Sequence, residues 1–138
     1  MKPDQIPAPA DPVPLDEAEC LRLLDTAAVG RVVYTVGALP AVLPTRYRLG
    51  GGGVLLRAAA GSDLVRAISG SLVAFEAGEV RQSDGSGWTV TVLGRAEVTD
   101  GPAPDDLAPA RQHEQVTVLI HAELVTGRLL AASPSCAR

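Results

Sequence analysis

Aromatic side chains are scarce in this 138-residue chain, at 3% of its residues: one Trp, two Tyr and one Phe. There are few rings on which to stack bases, and the formal net charge is -4. Binding to nucleic acid or to an anionic membrane surface relies on a basic surface, so neither is an expected partner. Cysteine is also sparse. Cys20 and Cys136 are too few and too far apart for a disulfide framework or a metal-ligand pattern. Cys20 falls on the apolar side of an expected helix and reads as a small core hydrophobe, while Cys136 lies in the tail. His113 and His121 have no Cys, Asp or Glu at ligand spacing, so no metal site is expected. No apolar run approaches the roughly 20 residues of a membrane span. The proline-rich start lacks the basic and apolar segments of a secretory signal, so a cytoplasmic protein is the expectation.

What is present is globular composition. The chain is 46% hydrophobic, mostly Ala, Val and Leu, with 20% charged residues, and its length suits one domain with a real core. Prolines at 3, 7, 9, 12 and 14 mark residues 1–14 as an extended leader. Residues 15–132 then read as the folded domain and 133–138 as a tail. After Leu15, Cys20, Leu23, Leu24 and Ala27 form a helical stripe, with Asp16, Glu17 and Glu19 at the end where the helix dipole favours anions, and Gly30 beyond it.

The period then becomes strand-like. "RVVYTVG" and "AVLPTRYRL" read as two strands, with Pro44 marking an edge, a bulge or backbone that faces something other than a strand. "VLLRAAA" is a third strand. "GSDLVRAISG" is a short helix, with Ser62 as N-cap, Leu64, Val65 and Ile68 as its apolar face and Gly70 closing it. "SLVAFEAG" is a fourth strand, and "WTVTVLGRAEVT" a fifth. The fifth places Trp88, Val90, Val92, Ala96 and Val98 on one face, with Gly94 at a bulge or bend. A loop with a short helix near 106–112 precedes a sixth strand and ending in "QVTVLIHAELVTGRLL". This order does not alternate as β-α-β-α; the pattern predicts a mainly β, six-stranded antiparallel barrel.

The glycines at 50–53 are the most conspicuous local feature. A phosphate loop needs Lys and then Ser or Thr directly after its last glycine, and a dinucleotide fingerprint leads into a helix. These glycines lead into the strand Val54, Leu55 and Leu56, so a hairpin turn is the reading. In "LLRAAAGSDL", Arg57 ends a strand and Ser62 starts a helix. The guanidinium, the hydroxyl and the first helix amides could meet one anion, or serine could cap the helix while arginine faces solvent.

Taken in order, "LDEAECLRLLDTAAVGRVVYTVGALPAVLPTRYRLGGGGVLLRAAAGSDLVRAISGSLVAFEAGEV", "GWTVTVLGRAEVTD" and "LVTGRLL" resemble the flavin-binding split-barrel proteins related to pyridoxamine 5'-phosphate oxidase, especially the small bacterial members. The resemblance implies a six-stranded antiparallel split barrel that forms a homodimer with two FMN sites at its interface. It implies that Val42, Leu43, Pro44, Thr45 and Arg46 lie along the isoalloxazine ring. Arg57, Ala58 and Ser62 would sit at the phosphate, and Trp88 or Thr89 would reach the flavin or its ribityl chain. Trp88 reads equally well as a barrel or interface plug.

Two residues depart from the family's pattern. Where the family commonly has "GSKL", this chain has Asp63. Unit charges about 4 Å apart at an effective dielectric of 20 interact by roughly 4 kcal/mol, so Asp63 opposes a phosphate there. It also suits the first turn of a helix, and Arg66 is spaced to pair with it. The usual "PVNY" reads "PTRY", adding the cation Arg46, which alternation puts on one face with Pro44, opposite Thr45 and Tyr47.

The resemblance implies an FMN-binding protein and, with it, a flavin-dependent oxidoreductase whose substrate and catalytic residues the sequence does not identify. The basic substrate-phosphate residues of a true pyridoxamine phosphate oxidase are not visible. The alternatives are a deazaflavin-dependent reductase on the same barrel, and a dimeric split barrel that has lost its cofactor and acts as a binding or interaction module.

Overall fold

The structure is a computed structural model that describes residues 12–99 and 114–132. The readings made for residues 1–11, for the short helix at 106–112, for His113 and for the tail from 133 with Cys136 lie outside those residues.

Helix α1 (Glu17–Leu24) starts at Asp16, whose carboxylate accepts from the Glu19 amide at 2.8 Å, with Glu17 and Glu19 in the first turn. Cys20 and Leu24 are fully buried, and Leu21, Leu23 and Ala27 pack beside them. The helix stops at Leu24, capped by Asp25, so the stripe's last member, Ala27, lies beyond it. Helix α2 (Asp63–Ile68) is capped by Ser62, whose hydroxyl accepts from the Val65 amide at 3.3 Å, and buries Leu64 and Ile68. Gly70, at φ +75°, turns the chain out of it.

The strands β1 (Val13–Leu15), β2 (Val29–Val36), β3 (Leu39–Arg46), β4 (Arg48–Gly50), β5 (Gly53–Ala59), β6 (Leu72–Val80), β7 (Gly87–Thr99), β8 (Gln115–His121) and β9 (Leu124–Leu130) pair antiparallel throughout. The long β7 is the spine. On one side it carries β6, then β2, then β3 at the edge. On the other side β9 pairs with its first half and β8 with its second; β5 and β4 follow β8, and β1 follows β9.

The β7 ladder explains Gly94. Leu93 pairs with Leu124 and Ala96 with Ile120, so two residues of β7 face three of the opposing chain, His121, Ala122 and Glu123. That one-residue excess is a β-bulge, which bends the pair. The bend brings the His121 carbonyl onto Gly94: a Cβ there would lie 1.6 Å from its oxygen. The expected sixth strand is thus one run divided by this bulge into β8 and β9. The expected second strand is divided at Tyr47 into β3 and β4, and β1 is an added short strand. The antiparallel barrel is as expected, with the strand count raised by these divisions.

Tyr47 also shows how the barrel closes. β3 and β4 stand at opposite ends of the strand order, yet this single residue joins them. The sheet must therefore curl until its ends meet. Among the described residues no ladder links β3 to β4 or β5, and this opening is the split in the barrel. Tyr47 is buried at the opening, with its ring edge-on to Phe75 at 4.7 Å between centroids, and its hydroxyl donates to the Leu24 carbonyl. Phe75, Leu24, Leu56, Ile68 and Ile120 are the largest fully buried side chains, each contributing roughly 1.5–3 kcal/mol through burial.

The glycine turn is the hairpin the sequence suggests. Gly50 pairs with Gly53, and Gly51 and Gly52 both have positive φ, +63° and +85°, as a type I′ turn requires.

Candidate functional site

The β3 strand is an edge that pairs, among the described residues, only with β2. Pro44 sits opposite Arg31 in a register without a bulge, so the missing amide faces the unpaired side, where it costs no ladder bond. Alternation is therefore kept. Val42, Pro44 and Arg46 share the outer face, while Leu43 and Thr45 lie opposite Val32 and Gly30. Val42 is 58% exposed and Leu43 37%, unusual for apolar residues of a strand.

This outer face continues across the sheet. Val42 pairs with Val33, Val33 with Ala74, Ala74 with Leu93 and Leu93 with Leu124, an apolar row about 19 Å long at the usual strand spacing. Leu72, exposed at 66%, lies on the same face near its border. The next row contains the Arg31–Glu76 ion pair at 2.6 Å. Helix α1 does not cover this face. It packs inside, where Cys20 lies against Gly127 and Val90.

Arg57 has a distinct environment. Val54, Leu56 and Ala58 on β5 point into the core, which leaves Arg57 on the other face, opposite Thr117. Thr117 is buried and pairs in turn with Thr99 on β7, so a guanidinium and two hydroxyls form one row. The Nε of Arg57 is buried and has no hydrogen-bond partner among the described residues. A buried donor left unpaired costs about 1–3 kcal/mol, and an anion supplied to it would remove that cost.

Ser62 uses its oxygen lone pair to cap α2, so its hydroxyl proton remains available to an acceptor. Asp63 is exposed and ion-paired with Arg66, whose guanidinium also donates to the Gly61 carbonyl at 2.6 Å. Arg66 thus folds back over the first turn and brings a cation to the position where Asp63 introduces an anion. The i,i+3 spacing signals this pair in the sequence, whereas the contact with the Gly61 carbonyl, five residues back in the turn before α2, is a local one that spacing alone does not specify.

Trp88 is 8% exposed and packs in the core; Thr89 is half-buried on the outer face beside Gly78 and Arg128. Of the two, Thr89 is turned out of the barrel. Cys20 is inert here: burial pushes its thiol pKa up, and Asp16, Glu19 and Glu17 add to the rise. His121 is partly exposed, 3.6 Å from Glu97. Among the described residues no three His, Cys, Asp or Glu side chains converge as a metal site, and no helix is long and apolar enough to cross a membrane.

Over residues 16–128 the chain matches the family described as pyridoxamine 5'-phosphate oxidase. An uncharacterized Mycobacterium tuberculosis protein is 35% identical over 136 residues, 88% of each chain. Among solved structures, an FAD-binding protein of Mycobacterium smegmatis superposes with a TM-score of 0.69 at 31% identity, covering 88% of this chain and 100% of that one. An FAD-binding protein of Mesorhizobium loti, 23% identical, shares the fold with a TM-score of 0.67 over 87% of this chain and 97% of its own.

Proposed function

This chain belongs to the pyridoxamine 5'-phosphate oxidase family, and on that premise we propose that it binds a flavin at the β3 edge and the β5–α2 turn, as a homodimer acting in small-molecule redox chemistry. The observation that carries the reading is the buried Nε of Arg57, a donor with no acceptor among the described residues, which the phosphate of a flavin would supply. The residues present fit a flavin phosphate. Arg57 would donate N–H groups to it, and Ser62 would donate its hydroxyl while still capping α2. The Asp63–Arg66 pair leaves the turn without a net repulsive charge.

Val42, Leu43, Pro44, Thr45 and Arg46 on β3, with Thr89, complete the proposed surroundings of the cofactor, while Ala58 and Trp88, expected there from the sequence, turn their side chains into the core. When bound, the flavin supplies the hydride chemistry. The chain's own part is positioning, exclusion of water by the apolar edge, and charge at the phosphate. No side chain is assigned as a catalytic acid or base.

The apolar row from Val42 to Leu124 supports a second copy as the partner on this face, since an exposed patch of that size marks an interaction surface. Light scattering on the wild type and on Val42→Glu checks it: the wild type is expected as a dimer and the variant as a weakened one.

FMN, the flavin implied by the resemblance, carries the single phosphate that Arg57 and Ser62 would take. The M. smegmatis relative is an FAD-binding protein, so the test is a titration of the apo-protein with FMN and with FAD, followed by flavin fluorescence. Saturable binding of either supports the reading. Binding of a deazaflavin alone would move the chain to the reductase alternative, and binding of none would leave the interaction module.

A further inference from the structure

A cleft of about 360 Å³ lies between α1 and the β4–β5 hairpin, lined by Glu17 and Leu21 of the helix, Leu49 and Val54 of the hairpin, Val92 of β7 and Ala122 at the bulge. Its floor belongs to the core. Val54 and Val92 are buried inner-face residues, and Leu49 pairs with Val54 on the same side. The rim on the hairpin side is glycine, which brings no side chain to cover it. A Cβ added at Gly52 would meet nothing within 4 Å, so the tip of the hairpin leaves the mouth open. The volume is within the range of small-molecule sites.

Glu17 breaks the pattern of its helix. Glu17, Cys20, Leu21 and Leu24 stand at i, i+3, i+4 and i+7, the stripe that faces the barrel, and Cys20, Leu21 and Leu24 lie in or against the core. The first position of that stripe carries a carboxylate instead. Among the described residues this carboxylate makes no hydrogen bond or ion pair. The other acids of the turn are placed differently: Asp16 caps the helix, and Glu19 lies outside the cleft. A lone carboxylate at the edge of apolar walls, in a chain of net charge -4, is complementary to a cation with an apolar body.

We propose that this cleft binds a small organic amine, its apolar body against Leu21, Leu49, Val54 and Val92 and its ammonium at Glu17. The walls supply most of the affinity, and the carboxylate selects the head group. None of the residues assigned to the flavin lines this cleft, so the site is separate from the cofactor and does not rest on that reading.

The test titrates the whole protein with hexylamine, hexanol and hexanoate, which share an apolar chain and differ in head group, while backbone amide signals are followed by NMR. Saturable shifts centred on residues 17–21, 49–54, 92 and 122 are expected, with hexylamine bound most tightly and hexanoate least. Glu17→Gln should weaken hexylamine about fivefold, the scale of an exposed ion pair, and leave hexanol within about twofold. Glu19→Gln removes the same charge from the same turn outside the cleft, and should leave hexylamine within about twofold of the wild type. The site is overturned if no probe saturates, if the shifts centre elsewhere, or if hexanoate binds as tightly as hexylamine. It is also overturned if Glu17→Gln binds hexylamine as the wild type does, or if Glu19→Gln loses as much affinity as Glu17→Gln.

Discussion

Arg66 is ion-paired with Asp63 across the first turn of α2 and holds the Gly61 carbonyl at 2.6 Å with the same guanidinium. The carboxylate that most opposes a phosphate at this turn is therefore answered three residues later. Asp63→Lys should tighten flavin binding several-fold by leaving two cations at the turn. Arg66→Ala should weaken it by about tenfold, as expected for an uncompensated carboxylate, and the double variant should recover. Because the pair is exposed, folding stability should change by less than about 1 kcal/mol in each, by urea denaturation.

Arg57 carries a conflict between stability and binding. Its unpartnered Nε opposes folding of the apo-protein. Arg57→Met keeps much of the volume and removes the donor, so the apo-variant should be as stable as the wild type or more so. Its flavin affinity should fall by at least about tenfold. Equal affinity would place the phosphate elsewhere.

Tyr47 ties the barrel opening to pH. Desolvation, with Asp25 and Glu79 nearby, pushes its phenol from 10.0 up to about 12. The folded state thus favours the neutral phenol. This contribution is complete below pH 10 and is lost as pH rises through 12, with a slope approaching about 1.4 kcal/mol per pH unit between them. Tyr47→Phe should cost about 1–2 kcal/mol at neutral pH by leaving the Leu24 carbonyl unpaired, and it should flatten that alkaline loss. Stability curves from pH 8 to 12 provide the check.

Gly94 lies where the β8–β9 bulge crosses β7, and an added Cβ would meet backbone atoms that cannot move aside. Gly94→Ala should cost about 3 kcal/mol or more, or prevent folding. Gly61→Ala, with nothing within 4 Å of the added carbon, should change stability by no more than about 0.5 kcal/mol. Similar losses in both variants would contradict this account of the bend.

The barrel was largely legible in the sequence because its signals are local. The alternation from Trp88 to Val98, the turn glycines and the Ser62 cap each specify geometry within a few residues. Gly94 marked a bend, but its cause, the extra residue opposite it, lies in a segment with no turn residue to reveal a break. The division at Tyr47 was hidden in the same way, since "TRYRL" keeps strand alternation while the chain passes from one end of the sheet to the other. For the site, residue types suggested Arg57 and Ser62. The orphaned Nε of Arg57 depends on β5 being laid beside β8, which local sequence does not show, and the hold of Arg66 on the Gly61 carbonyl is a side-chain choice that residue spacing alone does not fix.

The most direct test of the central claim is a fluorescence titration of the apo-protein with FMN and FAD, run in parallel on the wild type and on Arg57→Met. Saturable binding of a flavin by the wild type, weakened at least about tenfold in a variant that stays folded, is the expected result. A folded wild type that binds neither flavin, or one whose affinity is the same with and without Arg57, would contradict it.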